Sequence, residues 1–575
     1  MRTETKFVKR FLKLIFPQLG TAEKGVKLIK LSVRTYKTTK RIREARMKLA
    51  YKVGIGSVGM FVFIILFGWI AFPKILSNKI KSMCTLKEGT DIREMYLKVP
   101  FPLVFKVYMF NVTNPVEVTA GAIPIVQEVG PFVYDEWKEK VHIEEDESED
   151  TMTYTIKNTF IFNRELTKPL TGNELVTIPH PLLAALAMAV ERDKPSALSL
   201  VNKALNSIYR GPTTPFLTAS VQDILFDGVY ILCNVSDFAG KAVCAQLKME
   251  ATDLVEVEPN IFRFSIFGPK NGTLGQRVKV KRGVKNSHDL GKVVEFEGQT
   301  ELEIWGSEEC NTYQGTDTTI FPPFLTKEEG LVSFAPDLCR VLAAYYVDDT
   351  KYAGLPVRRY SADFGDPSSN PEDQCYCQAP DKCLKKGVFD LYNCIKAPLI
   401  ASLPHFYLSD PSYVNGVKGL NPNAKDHEIT ILFESMTGSP VAAKKRMQFS
   451  LPVHALAKVN VMKNLADTVI PLFWVEEGVE LNSTWTKQLN DQLFKVLKIT
   501  KIMKYLILVM SMGGMGAAVY LHYSRKKEVT ITPVRSTETS NGETNRSNVI
   551  SMLGQNKALG GHVNHAMSAN EIDKY

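Results

Sequence analysis

The sequence predicts a mainly β domain with a helical insertion, an α+β fold held between two membrane-spanning helices. Three observations carry this. Two long uncharged runs lie near the two ends of the 575-residue chain. All nine cysteines fall between them, eight of them at residues 233–394. Much of the intervening sequence alternates apolar and polar residues with the period of a strand. With 45% hydrophobic and 23% charged residues the chain can bury a large core, which excludes bulk disorder.

The N-terminal arm comes first. Residues 1–52 carry 16 Lys/Arg against 3 Asp/Glu, a net of +13. Residues 524–575 carry a net of +2, so the overall +9 leaves −6 for the middle. A basic arm beside a mildly acidic body points to an anionic membrane surface and away from nucleic acid. Within the arm, residues 6–20 form a basic amphipathic stretch suited to lying on the inner leaflet.

Residues 53–72 contain no charge and are long enough to span about 30 Å of hydrocarbon as a helix. Residues 505–523 form a second uncharged run, with His522 near one end. Basic residues at 37–52 precede the first run, and Arg525, Lys526 and Lys527 follow the second. The positive-inside rule places both flanks, and so both termini, in the cytoplasm. The alternative of a buried core helix fits the second run better than the first, because the second is richer in Met. A cleaved signal peptide fits poorly, since the first run is too long and too far from the start. Gly54, Gly56 and Gly59 match the dinucleotide-binding pattern, but they sit inside this run and follow no strand.

Four sequons, at Asn111, Asn234, Asn271 and Asn482, fall in the segment placed outside and are expected to carry glycans. A fifth, at Asn545, falls in the cytoplasmic tail and is expected to go unused. Cysteines 233, 244, 310, 339, 375, 377, 383 and 394 read as a disulfide framework. Cys375, Cys377 and Cys383 as a metal site are the weaker alternative, because the paired zinc spacing is missing. Sequence alone leaves the pairing of the last six open. Cys84, just beyond the first run, is the odd thiol.

Within the outside segment Leu103, Phe105, Val107 and Met109 alternate with Val104, Lys106 and Tyr108 as a strand. Residues 123–129, 152–162, 262–267 and 429–433 are further strands. The acidic run 144–150 is a solvated hairpin tip. Leu182, Leu183, Leu186, Ala187 and Val190 recur at helical spacing, a second helix follows Pro195, and a third is expected over 215–225.

Several segments together resemble the class B scavenger receptor family. They are residues 101–134, Phe321-Pro-Pro-Phe324, Leu403-Pro-His-Phe406, Gly419-Leu-Asn-Pro422, Met436-Thr-Gly438 with Lys444-Lys-Arg446, and residues 471–478. The resemblance covers about residues 53–523. Residues 135–140 and the Cys233/Cys244 pair are most similar to the branch of insect sensory neuron membrane proteins, and within it to the pheromone-associated type. The resemblance implies an antiparallel β-barrel ectodomain with an apical helical bundle and an internal hydrophobic tunnel. It implies disulfides Cys310–Cys375, Cys339–Cys394 and Cys377–Cys383; proximity alone suggests Cys233–Cys244. The layout becomes a cytoplasmic segment 1–52, a transmembrane helix 53–76, an extracellular domain 77–504 with its helical apex at 181–225, a transmembrane helix 505–523 and a tail 524–575. Family members usually start shortly before the first crossing, and Met47 would make such a start. Residues 1–46 are therefore expected to be a gene-prediction extension or an unusual isoform.

The implied function is non-enzymatic: a plasma-membrane co-receptor on sensory dendrites or cilia. It would pass fatty-acid-derived odorants or other lipids through the tunnel, alongside an odorant receptor complex and odorant-binding proteins. Lys194 and Lys203 at the apex are the candidates for meeting a polar head group. The alternatives are a general scavenger receptor for lipids or lipoproteins and a protein-cargo receptor. Residues 570–575 carry no acidic-dileucine signal, which weighs against cargo sorting. No cofactor, metal or catalytic constellation is expected. The nucleophile elbow and the zinc-protease motif are missing, and His180 and His405, each beside a proline, are expected to pack in turns.

Overall fold

The computed structural model describes residues 22–250, 254–379 and 381–524. The amphipathic stretch 6–20, the sequon at Asn545 and the tail lie outside the described residues. The chain divides into two compact units, residues 1–54 with 514–575 and residues 55–513. In the first, a Cβ on Gly54 would stand 3.4 Å from Ala518 Cβ, so the glycine lets two helices lie close. Its helical conformation also rules out a phosphate loop there.

In the second unit the first uncharged run belongs to a longer helix. It runs from Ala22–Ile65 through a π-helical turn, Leu66–Ala71, into Phe72–Met83. The turn has a covalent cause. Pro73 has no N–H for the carbonyl four residues back, and Phe72 N–H bonds to Phe67, five back. The second run lies in a helix that ends at Tyr523. Lys504 Nζ lies 3.9 Å from the Trp69 ring centroid, and Trp69 meets Tyr505 edge-on at 6.2 Å. Such aromatic and basic residues mark the interface level of a membrane helix. The protein has two terminal helices long and apolar enough to cross a bilayer.

Between them lies a thirteen-stranded antiparallel sheet. Its main path runs Val293–Phe296, Leu274–Lys281, Thr151–Phe162, Val126–Asp146, Leu103–Val112, Thr468–Glu480, Ser439–Val453, Thr430–Glu434, Leu355–Ser361, Arg340–Tyr352 and Leu331–Ala335. Two short strands, Val388–Asp390 and Ile400–Ser402, attach to Ser439–Val453. The two ends of the path are bridged by Gly315 and Thr316. Thr316 N–H donates to Val332 and Phe334 N–H donates to Thr316, while Val293 N–H donates to Gly315 and Asp317 N–H to Gly291. This seam nearly closes the barrel and removes its open edges. Gly315 has φ +75°, and a Cβ there would stand 2.1 Å from the Val332 carbonyl oxygen. Only glycine fits.

The alternation expected at residues 103–109 is the observed burial of Leu103–Val112, with Phe105, Val107 and Met109 inside. The helices expected after Pro181 and Pro195 are Leu183–Asp193 and Leu198–Ile208. The third expectation is overturned. Phe216–Ser220 is a strand paired with Leu175–Pro179, and only a π-helical turn, Asp223–Asp227, follows. The ladder with Leu175–Pro179 outweighs local helical spacing. The helix Phe238–Glu250 was not anticipated. The strand expected at 262–267 is shorter, Ile261–Phe264, and that at 123–129 begins at Val126. The acidic tip is only partly solvated. Asp150 is buried, its carboxylate accepts from Lys285 N–H, and Glu145 pairs with Arg282.

Candidate functional site in the barrel interior

The site is built from alternate residues of the central strands. Ile161 is 53% exposed, so its neighbours Phe160 and Phe162 face inward by the period of the strand. They join Phe105, Tyr134, Phe226, Phe267, Phe449 and Phe473 in one aromatic column. Phe105 lies 5.0 Å from Phe160 and 5.5 Å from Phe267. Phe267 lies 5.9 Å from Phe226 and from Phe473, which stacks on Phe449 at 5.1 Å. Phe160, Phe226, Phe267 and Phe449 are only half-buried.

The column belongs to an apolar cluster that includes Leu183, Ala187, Met188 and Val201 of the inserted helices. A second cluster holds Ile80, Cys84 and Leu86, which follow the first membrane helix, together with Phe334 and Tyr360. Leu399, Phe449 and Val475 pack against both. Apolar contacts through these three residues therefore link the inserted helices to the segment after the first crossing.

A belt of charges crosses the interior at one level. Glu136, Lys138 and Lys140 continue the inward face of Phe132 and Tyr134. Lys138 pairs with Glu477 and stands 3.4 Å from Glu136. Burial pushes the Glu136 carboxyl up to about 7, against the pull of Lys138. Glu477 is half-buried; desolvation works to raise it, yet Lys138 and Lys445 hold it down at about 2. Asp317, at the seam, accepts from Lys140, Tyr96 and Tyr154 on one oxygen and from Thr319 on the other. Burial works to raise Asp317, but Lys140 and these donors hold it below the usual carboxylate range.

Residues 135–140 entered the sequence reading only as a mark of resemblance. The signal that places Glu136, Lys138 and Lys140 inside is their spacing of two from Phe132 and Tyr134. Asp317 and Glu477 carry no such local signal.

Lys194 and Lys203 are both exposed on the inserted helices and do not reach the column. Asn234 and Asn482 are exposed, and the Asn482 side chain caps a helix by accepting from Thr484 and Trp485 N–H. Asn111 Oδ1 accepts from Thr177 N–H. Asn271 accepts from Phe160 N–H and donates to Phe160 O, so its amide is part of the sheet. Disulfides join Cys233 to Cys244, Cys310 to Cys375, Cys339 to Cys394 and Cys377 to Cys383. Cys84 is a buried free thiol, pushed up to about 12 by burial and by Glu434.

His180 is buried, and its Nδ1 faces Leu182 and Leu183 N–H at the start of a helix. His405 is buried in a turn on the outer face, stacked on His427 with centroids 4.4 Å apart. Two hollows, of about 420 and 180 Å³, open beside Glu301–Asn311 residues and beside the seam. Neither is lined by the aromatic column, so the open tunnel implied by the resemblance is not one of them.

Residues 55–522 match the CD36 family. The chain is 44% identical to sensory neuron membrane protein 1 of Ostrinia nubilalis over 514 residues, covering 88% of this chain and 97% of that protein. It is 43% identical to the Apis mellifera protein of the same name, covering 84% and 93%. It is 46% identical to the Aedes aegypti one, covering 80% and 85%.

Proposed function

The chain belongs to the CD36 family, and from that premise we propose that it is a sensory-neuron membrane co-receptor for apolar odorants. The ligand enters at the inserted helices, moves along the aromatic column and leaves towards the bilayer or an odorant receptor. The named relatives point to sensory neurons. The observation that carries the passage is the chain of apolar contacts that joins the cluster of Leu183 to that of Ile80 through Leu399, Phe449 and Val475, beside the charged belt. Each methylene kept from water along that route is worth about 0.8 kcal/mol, which suffices to move a long-chain ligand without catalysis. The domain between the helices lies outside the cell, both termini face the cytoplasm, and Asn234 and Asn482 carry glycans.

The test is labelling of the full-length chain in nanodiscs by a photoreactive fatty ester, with and without Val107→Trp. Val107 is fully buried beside the column, and Trp there blocks it. Lost labelling of the segment after the first crossing supports passage; labelling unchanged by Val107→Trp contradicts it. A protein-cargo reading finds one supporting observation, the exposed Phe238 (80%) and Met249 (74%) on an inserted helix. It predicts a protein ligand lost on Phe238→Ser.

A further inference from the structure

Lys504 Nζ stands 3.9 Å from the Trp69 ring centroid and 5.7 Å from that of Tyr505. Its stem lies on Gly68, where an added Cβ would stand 2.8 Å from Lys504 Cδ and 3.1 Å from its Cγ. Gly68 is buried within the π-helical turn Leu66–Ala71 that precedes Pro73. One membrane helix therefore offers a glycine notch, and the other seats a lysine in it. The notch holds the methylenes and fixes the ammonium beside two rings. A lysine that merely reached for water from a helix surface would need no such seat.

Aromatic faces attract the charge, but an ammonium keeps three donors that call for oxygen acceptors. Carboxylates do not supply them. Residues 53–83 and 492–523 contain seven lysines and no Asp or Glu. Lys495 pairs with Asp491, whereas Lys74, Lys501 and Lys504 form no ion pair among the described residues. Orientation does not account for these lysines either. The bias that orients a crossing gathers Lys and Arg on one side, and here the barrel-side flanks are basic as well as the terminal ones.

Depth identifies the missing partner. Lys504 directly precedes the uncharged run 505–523, and Trp69 lies in the last turn of the run 53–72. Together they mark the hydrocarbon boundary on the barrel side. The polar layer beyond it is about 5–8 Å thick, or roughly four or five residues of helix. Lys501, three residues before Lys504, and Lys74, five residues past Trp69, fall within it. The oxygens at that depth are those of lipid phosphates, which only accept and carry the complementary charge. Lys501 and Lys504 are neighbours on one helix surface and repel each other unless an anion lies between them.

We infer that Lys504, seated on Gly68 beside Trp69, forms with Lys501 a site for the phosphate of an anionic lipid headgroup at the barrel-side face of the bilayer. The site requires no passage through the barrel. It places a lipid where the two crossings touch.

The test uses the full-length chain in nanodiscs of phosphatidylcholine and phosphatidylglycerol in equal parts. Native mass spectrometry counts the lipids retained on the released chain. Wild type is expected to retain phosphatidylglycerol in preference. Lys504→Met keeps a stem on Gly68 and is expected to lower that preference about fivefold, the scale of one lysine facing anionic lipid. Lys504→Arg is expected to keep most of it. Gly68→Leu evicts the stem with every charge left in place, and is expected to lower the preference as well. Lys79→Met, beyond the polar layer, is expected to leave it unchanged. Circular dichroism checks that each variant keeps its sheet; should Gly68→Leu fail to fold, the two Lys504 variants still decide. An equal loss in Lys504→Met and Lys79→Met shows diffuse surface charge and overturns the site. Displacement of the lipid by inorganic phosphate shows a simple anion site and overturns the headgroup assignment. A wild type without preference overturns both.

Discussion

The Lys140 ammonium sits 2.8 Å from the Asp317 carboxylate, inside the seam where the barrel closes. Lys140 comes from the long strand Val126–Asp146, whereas Asp317 follows the two residues that bridge the sheet ends. The pair therefore ties the closing segment to the barrel wall. Asp317→Asn keeps the shape and leaves Lys140 buried without its counter-charge. Breaking a buried pair from one side costs about 3–5 kcal/mol. Removing both charges, as in Lys140→Met with Asp317→Asn, recovers most of that loss. Denaturant unfolding of the detergent-solubilised chain measures both. A single variant within about 1 kcal/mol of wild type contradicts the assignment. Since Asp317 is held below the usual carboxylate range, its contribution is present above that range and is lost only as pH falls through its depressed value. Mild acid leaves the seam closed.

Glu136 gives the opposite sign. Its carboxyl is raised from 4.5 to about 7, chiefly by burial. Between those values the folded chain keeps a proton that the unfolded chain has released, so stability falls as pH rises through this window and is level above it. Glu136→Gln is neutral at every pH. The variant is expected to match wild type near pH 4 and to exceed it at pH 8 by about 1–3 kcal/mol. Thermal unfolding at the two pH values reads the difference. A stability gap that does not change with pH shows that Glu136 titrates normally.

The acceptor asparagines separate into two kinds. Asn271 bonds the Phe160 backbone in both directions, next to the aromatic column, whereas Asn234 and Asn482 stand exposed. Asn271→Asp replaces the donating amide with an acceptor facing Phe160 O, an expected loss of about 1–3 kcal/mol. Asn234→Gln and Asn482→Gln are expected to alter the mass by one glycan each; Asn234→Gln changes stability by less than about 0.5 kcal/mol, whereas Asn482→Gln also loses a helix cap, at about 1 kcal/mol. Gel mobility before and after enzymatic deglycosylation, together with unfolding midpoints, distinguishes them. An Asn271→Asp chain as stable as wild type shows that its amide does not hold the sheet.

Local periodicity made part of this fold legible. Leu103–Met109 alternates because one face of that strand meets the core, and Leu182–Val190 repeats at helical spacing because one face of that helix does. The stretch after Pro215 misleads for the same reason in reverse. Phe216 and Leu217 are apolar on a strand whose partner, Leu175–Pro179, lies far back in the chain. The helix Phe238–Glu250 has weak apolar periodicity. Its start was nevertheless signalled by Asp237, whose carboxylate accepts from Gly240 N–H. The barrel itself came from resemblance, since closure depends on Gly315 and Thr316 reaching two strands distant in sequence. The interior belt was legible only in part. Glu136, Lys138 and Lys140 share a period with Phe132 and Tyr134, but their partners Glu477 and Asp317 are fixed by tertiary pairing.

On the outer face, His427, stacked on His405, carries a pH response of its own. Nδ1 of His405 accepts from Asn421 N–H, and its Nε2 side meets Glu128 at 2.7 Å, which is also held by Trp474 Nε1–H. Nδ1 of His427 accepts from Asn423 N–H. An imidazole that accepts at Nδ1 is neutral, and protonating it breaks that bond. Burial first, and the neighbouring His405 second, push His427 down to about 4 from 6.5. The unfolded chain therefore takes up a proton between those values that the folded chain refuses. Stability is full above pH 6.5 and falls as pH drops towards 4. From pH 7 to pH 5 the expected loss is about 1–2 kcal/mol. His427→Asn keeps an acceptor for Asn423 N–H and cannot titrate, so its stability is expected to change less over that range. Unfolding midpoints at pH 7 and pH 5 for both chains decide it. Equal slopes place the acid sensitivity elsewhere, whereas a flattened slope in the variant assigns it to His427, which packs against Trp474.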